Sequence, residues 1–110
     1  MTPGPITLEE FHKLDLRIGT IVQAGDHPQA DRLLVLQVDF GDKTSQVVAG
    51  IKGPYRPADL IGKQVVVVTN LKPATIRGVE SQGMLLAAQD GTQIVLLTPD
   101  RPIQAGSAVR

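Results

Sequence analysis

Two cations, Lys72 and Arg77, share the stretch Asn70-Leu-Lys-Pro-Ala-Thr-Ile-Arg-Gly-Val-Glu-Ser-Gln-Gly-Met84 with Asn70, Ser81 and Gln82, three side chains that donate and accept hydrogen bonds. That set suits a polyanion with polar edges. Cations pair with phosphates, while amides and hydroxyls bond sugar hydroxyls, phosphate oxygens or a base edge. Pro73, Gly78 and Gly83 shape the backbone, and the apolar run Met84 to Ala88 can anchor the segment on a core. The stretch reads as a polar binding loop mounted on a sheet. Gly83 is expected to permit a tight backbone approach.

Catalytic chemistry has one candidate cluster, Asp26, His27 and Asp31. The same residues are explained by turn chemistry, because Pro28 rigidifies the segment and Asp26 can bond its local backbone. Asp31-Arg32 reads as a solvated pair. The cluster is too thin in ligands for a metal site. His12 falls among charged residues of a predicted surface helix. The chain has no cysteine, which excludes disulfides, thiolate metal sites and a Cys nucleophile, and fits a cytoplasmic location. It also lacks the GxSxG, P-loop, HExxH and dinucleotide fingerprints. The expectation is a protein that is not an enzyme and takes no cofactor or metal.

Formal net charge is zero over 110 residues, which argues against indiscriminate polyanion binding. The distribution says more. Residues 43–78 carry six bases (Lys43, Lys52, Arg56, Lys63, Lys72, Arg77) against the single acid Asp59, a net of +5. Residues 1–42 carry seven acids and three bases. A positive middle third can form a local anion-binding face, or stay scattered over the surface. The length fits one domain with one core. No apolar run is long enough for a transmembrane span, and the start, Met1-Thr-Pro-Gly-Pro5, has no signal-peptide pattern.

The elements that must position these residues are short strands. Residues 1–6 read as a tail and 7–110 as one domain. Thr7-Leu-Glu-Glu10 is a capping-box pattern that predicts a helix from Leu8 to Lys13. Leu16 to Ala24 is rich in β-formers, but its apolar phase slips between Ile18 and Ile21. Gly19 at the slip predicts a bulge or sharp bend there. Leu34, Leu36, Val38 and Phe40 alternate on one face of a strand, which returns through Gly41-Asp-Lys43 to Ser45–Ala49. Gly50 to Gly62 is a long connection with at most one helical turn. Lys63 to Thr69 is a buried strand, and Met84–Ala88 and Gln93–Leu97 form a second hairpin. Five to six strands with one irregular connection predict an all-β OB-fold, a five-stranded Greek-key barrel.

Many barrels of this kind grip single strands by stacking bases on aromatics. Only Phe11, Phe40 and Tyr55 exist here. Phe40 has core parity and Phe11 lies on the apolar side of the helix. Tyr55 can stack on a base or pack on the barrel end. Stacking is therefore not the main device, and contacts to a folded RNA shape fit better. Met84 offers a soft apolar contact or fills the core.

The ordered motifs Leu14-Asp-Leu-Arg-Ile-Gly-Thr-Ile-Val22, His27-Pro-Gln-Ala-Asp-Arg-Leu-Leu34, Val48-Ala-Gly-Ile51, Leu60-Ile-Gly-Lys63, Asn70-Leu-Lys-Pro73, Gly78-Val-Glu-Ser-Gln-Gly-Met84 and Thr98-Pro-Asp-Arg101 closely resemble the tRNA-binding domain family. That domain occurs free-standing, at the C-terminus of bacterial methionyl-tRNA synthetase, and in the endothelial-monocyte-activating polypeptide group. The resemblance spans residues 8–110. It implies an OB-fold with a C-terminal extension, homodimerisation of the free-standing form, and recognition of tRNA by shape. It carries a binding role onto Asn70, Lys72, Arg77, Ser81, Gln82 and Met84. Arg32 matches a basic position after the His-Pro loop, and Lys52 falls where relatives vary. An aminoacyl-tRNA synthetase is a possible protein partner. With no synthetase catalytic sequence before the barrel, the chain reads as either a stand-alone protein or an excised domain, and the initial Met1 favours the first.

The chain also resembles CsaA, a dimeric OB-fold group linked to secretion and similar to a peptide-binding chaperone. Leu14-Asp-Leu-Arg-Ile-Gly-Thr20 and Val68-Thr-Asn70 are shared. That resemblance implies an unfolded polypeptide as the alternative partner. His27-Pro-Gln-Ala-Asp31 and Gly78-Val-Glu-Ser-Gln-Gly83 fit the tRNA binders better. The segment Leu97 to Val109 is apolar enough to seal a two-fold interface or to cover its own barrel edge.

Overall fold

The computed structural model describes residues 3–110; Met1 and Thr2, part of the expected tail, lie outside the described residues. Helix α1 is a single turn, Leu8–Phe11, closed by the expected capping box. The Glu10 amide donates to Thr7 Oγ1 at 3.0 Å and the Thr7 amide donates to Glu10 Oε1 at 3.1 Å. None of its residues is buried, and a turn with no packed face has nothing to prolong it to Lys13.

Five antiparallel strands make the barrel: β1 (Leu16–Asp26), β2 (Leu34–Asp39), β3 (Thr44–Ala49), β4 (Gln64–Val68) and β7 (Met84–Leu85), in the order β3-β2-β1-β4-β7. The remaining strands form two hairpins, β5 (Ala74–Ile76) with β6 (Val79–Ser81), and β8 (Ala87–Asp90) with β9 (Gln93–Leu96). Helix α2, Pro57–Leu60, is the helical turn of the long connection, with Pro at its start and Leu60 fully buried. The core holds Leu34, Leu36 and Val38 from β2 and Phe40 just after it, as their alternation requires, with Ile21, Val47, Val65, Val67 and Leu96.

β1 does double duty. Leu16–Thr20 pairs with β4, while Thr20–Asp26 pairs with β2. The bulge that bends it lies at Val22, between Ile21 paired with Val38 and Gln23 paired with Gln37, and not at Gly19 as the phase slip predicts. Gly19 is needed for a different reason: a Cβ there would overlap the Val38 side chain and stand 2.8 Å from Phe40 Cε1. The slip arises because both faces of β1 are covered. Ile21 enters the central core, while Leu16 and Ile18 are buried outside it.

The C-terminal extension covers the free edge of β1. The Ile18 amide donates to Ser107 O at 2.9 Å, Gly106 N donates to Ile18 O at 2.7 Å, and Val109 N donates to Leu16 O at 2.8 Å. The extension thus protects its own barrel edge, as one of the two sequence readings requires. At the same end of β1, just before Leu16, Asp15 is held by Thr69. The Thr69 hydroxyl donates to the Asp15 carboxylate at 2.6 Å, and Arg17 Nε lies 2.9 Å from that carboxylate. The Thr69 hydroxyl first, then Arg17, hold the Asp15 carboxyl below the ordinary carboxylate value. A depressed carboxylate contributes stability that is complete above its unfolded value and is lost as pH falls through the lower folded value. Thr69→Val should therefore flatten the acid limb of the stability curve, measured as melting temperature against pH. The pair is half exposed, so the effect should be small.

A candidate RNA-binding face built on the β5–β6 hairpin

The stretch expected to be a loop is a hairpin. Ala74, Thr75 and Ile76 pair with Ser81, Glu80 and Val79, leaving Arg77 and Gly78 as a two-residue turn. Arg77 has φ 52° and Gly78 φ 87°, the type I′ geometry that matches strand twist. Among the described residues Arg77 alone of the non-glycines has positive φ. A non-glycine in that region costs about 1 kcal/mol or more. The hairpin therefore carries its cation at the tip, at some cost to stability.

Two of the polar motif residues close the barrel. β3 is an edge strand, and its outward amides need acceptors. Val48 N donates to Ser81 Oγ at 3.0 Å, and Ser81 Oγ donates to Gly83 O at 2.9 Å. Gln46 N donates to Gln82 Oε1 at 2.9 Å, and Gln82 N returns a bond to Gln46 O at 2.8 Å. Gln46 Nε2 donates to Glu80 O at 2.8 Å. Ser81 is buried, while Gln82 stays exposed. Gly83 completes the junction, because a Cβ on it would stand 3.0 Å from the Val68 carbonyl oxygen.

Asn70 is also engaged by the fold. Its Oδ1 accepts from Asp15 N at 2.9 Å and its Nδ2 donates to Lys13 O at 2.6 Å, tying the segment before β1 to the end of β4. Lys72 is exposed on the connection to β5. Met84 is 48% exposed, so it does not fill the core. Arg32 and Arg77 line one cleft of about 560 Å³ with Gln29, Asp31 and Ile76. Neither arginine has a carboxylate partner among the described residues, nor does Lys72. Arg32 therefore differs from the expected solvated pair with Asp31. Lys52 stands apart electrostatically, 3.3 Å from Asp26, while its amide donates to Arg32 O at 3.3 Å.

His27 is buried, with Nδ1 accepting from Gln29 N at 2.9 Å and Nε2 2.9 Å from Ile76 O. Both nitrogens are occupied by backbone, which is turn chemistry extended to a second element. Tyr55 packs against the core, and its hydroxyl accepts from Leu96 N at 3.0 Å, so it takes the packing role of its two readings. No helix among the described residues is long and apolar enough to cross a membrane.

A barrel carrying free cations on one hairpin and one loop can be compared with known proteins. Residues 16–108 match the family profile described as "Putative tRNA binding domain". The chain belongs to the tRNA-binding domain family. Over 105 residues it is 52% identical to the methionine–tRNA ligase of Thermococcus kodakarensis, covering 96% of this chain and 14% of that enzyme. The methionine–tRNA ligase of Methanocaldococcus jannaschii is 52% identical over 106 residues, or 96% of this chain and 16% of the relative. The domain thus spans about one seventh of the relatives it matches. Among solved structures, a MetRS-related protein from Pyrococcus horikoshii superposes with TM-score 0.92 at 32% identity, covering 98% of this chain and all of that one. The chaperone CsaA from Bacillus anthracis gives TM-score 0.89 at 34% identity, over 97% and 100% of the two chains. Within the tRNA-binding domain, the signal for the site lay in its motifs. That Ser81 and Gln82 also close the barrel has no separate signal in the sequence.

Proposed function

We propose that this domain binds folded tRNA without catalysing a reaction, reading shape through phosphate and sugar contacts. The observation that carries the reading is the Arg32–Arg77 cleft at a hairpin tip, where two guanidinium groups line one wall system and neither is ion-paired, although the Asp31 carboxylate shares the lining. Planar guanidinium forks suit phosphate oxygens. Lys72, Met84 and the exposed amide of Gln82 extend the face along the hairpin. Lys52 contributes less, since Asp26 competes for its charge. Asn70 and Ser81 serve the face chiefly by holding it in place. The protein acts as a homodimer, with Leu97 and Ile103, exposed at 44% and 50%, as the surface a second copy would cover. Sedimentation across a concentration series tests that assembly. The tRNA, a synthetase or both are its partners.

The test is binding to a folded tRNA and to an unstructured RNA of equal length across a salt series. Arg77→Ala and Lys72→Ala should each weaken tRNA binding about tenfold and lower the salt slope by about one unit. Arg77→Asn separates binding from folding. Asn-Gly is the favoured type I′ pair, so this variant should gain about 0.5 kcal/mol of stability while losing the same affinity as Arg77→Ala. Unchanged affinity in both Arg77 variants would remove Arg77 from the interface.

A second reading has its own support. The match to CsaA is nearly as close as the match to the MetRS-related protein, and Leu71, Met84, Val95 and Leu97 expose apolar surface. Equal or absent binding to both RNAs, with suppressed aggregation of an unfolded client, would favour a peptide-binding chaperone.

A further inference from the structure

We infer that His27 is a positioning residue for the Arg77 contact, acting as a neutral strut between the β1–β2 loop and the hairpin tip. The inference rests on the reading of Arg77 as a tRNA contact. His27 is 5% exposed, and its ring hydrogen-bonds both its own loop, at Gln29 N, and β5, at Ile76 O. Gln29 N is a donor, so Nδ1 must accept; Ile76 O is an acceptor, so Nε2 must carry the proton and donate. Ile76 immediately precedes Arg77, and the Ile76 carbonyl is thus fixed at the point where the chain enters the strained turn.

Gln29 of the same loop also lies near the far end of the turn: a Cβ built on Gly78 would have Gln29 Oε1 as its nearest atom, at 4.0 Å. The loop is therefore bonded to the entry of the Arg77-Gly78 turn and runs close to its exit. Arg32, on the far side of that loop, lines the cleft with Arg77. A two-residue turn joining three-residue strands has little stability of its own. The His27 strut sets the gap across which the two arginines meet one phosphate segment. Without it the hairpin remains joined to β3 through Ser81 and Gln82, but its tip is free to swing.

The ring's two bonds can be cut separately. His27→Gln can keep a donor near the Nε2 position and so the bond to Ile76 O. His27→Asn can keep an acceptor near Nδ1 and so the bond to Gln29 N, but falls short of Ile76. The readouts are tRNA affinity, its salt slope and melting temperature for His27→Gln, His27→Asn, Arg77→Ala and each double variant. We expect His27→Asn to lose about fivefold in affinity, His27→Gln to recover most of it, and His27→Asn to cost nothing further in the Arg77→Ala background. Additive losses, or equal losses in the Gln and Asn variants, would overturn the strut. If Arg77→Ala alone leaves affinity unchanged, the reading of the site fails first and the strut with it. Should His27→Asn fail to fold, His27→Gln still decides: full affinity supports the Ile76 bond, and a loss equal to that of Arg77→Ala overturns it.

Discussion

Gly106→Ala should destabilise the protein by about 3 kcal/mol, lowering the melting temperature by roughly 10–20 °C. Two costs coincide there. Gly106 has φ 93°, a conformation that L side chains rarely adopt, and a Cβ on it would overlap the Phe40 carbonyl oxygen. That oxygen belongs to backbone next to the barrel core and cannot rotate away. Gly106 is also the residue through which the extension grips β1, donating to Ile18 O and accepting from Arg17 Nη1 at 3.0 Å. Gly62→Ala is the matched control. Its φ is 86°, but nothing lies within 4 Å of its missing Cβ. Gly62→Ala should cost only the conformational part, about 1 kcal/mol. Equal losses in the two variants would show that Gly106 is not pressed against Phe40. Faster hydrogen exchange at the Ile18 amide, which donates to Ser107 O, would report whether the extension lifts before the barrel melts.

Residues whose job follows from local pattern were legible in the sequence. The Thr7–Glu10 capping box, the single buried face of β2, the turn at Gly41 and the valine strand β4 all depend on neighbours a few positions away. The β5–β6 hairpin was not legible, because its arms are three residues long and alternate weakly. Arg-Gly also advertises a type I′ turn far less clearly than Asn-Gly does. The bulge at Val22 hid behind Gly19, whose real constraint comes from Val38 and Phe40 across the barrel. His27 looked like loop chemistry because its decisive partner, Ile76, lies 49 residues away. The candidate site was legible as a set of residue types, since cations and polar side chains near a hairpin suit a polyanion. Which of them face outward depended on the register of β3, which no local pattern encodes.

Ser81 is where those two levels diverge, and Ser81→Ala should cost about 2 kcal/mol. The hydroxyl accepts from Val48 N and donates to Gly83 O, so its removal strands a buried amide on β3 and frees a carbonyl beside β7. A buried donor without a partner bears its full desolvation cost, whereas an exposed one recovers water. Gln82→Ala makes the comparison, because Gln46 N lies near solvent and should lose less than half as much. Calorimetry on the two variants would rank them. The consequence for RNA is equally specific. With no cation removed, Ser81→Ala should leave the salt slope of tRNA binding at its wild-type value and shift affinity less than about threefold well below the melting temperature. A tenfold loss of affinity with an unchanged melting temperature would mean the hydroxyl meets RNA directly. The polar pattern around residue 81 would then serve the ligand before it serves the barrel, because one hydroxyl proton cannot be given to both Gly83 O and a phosphate.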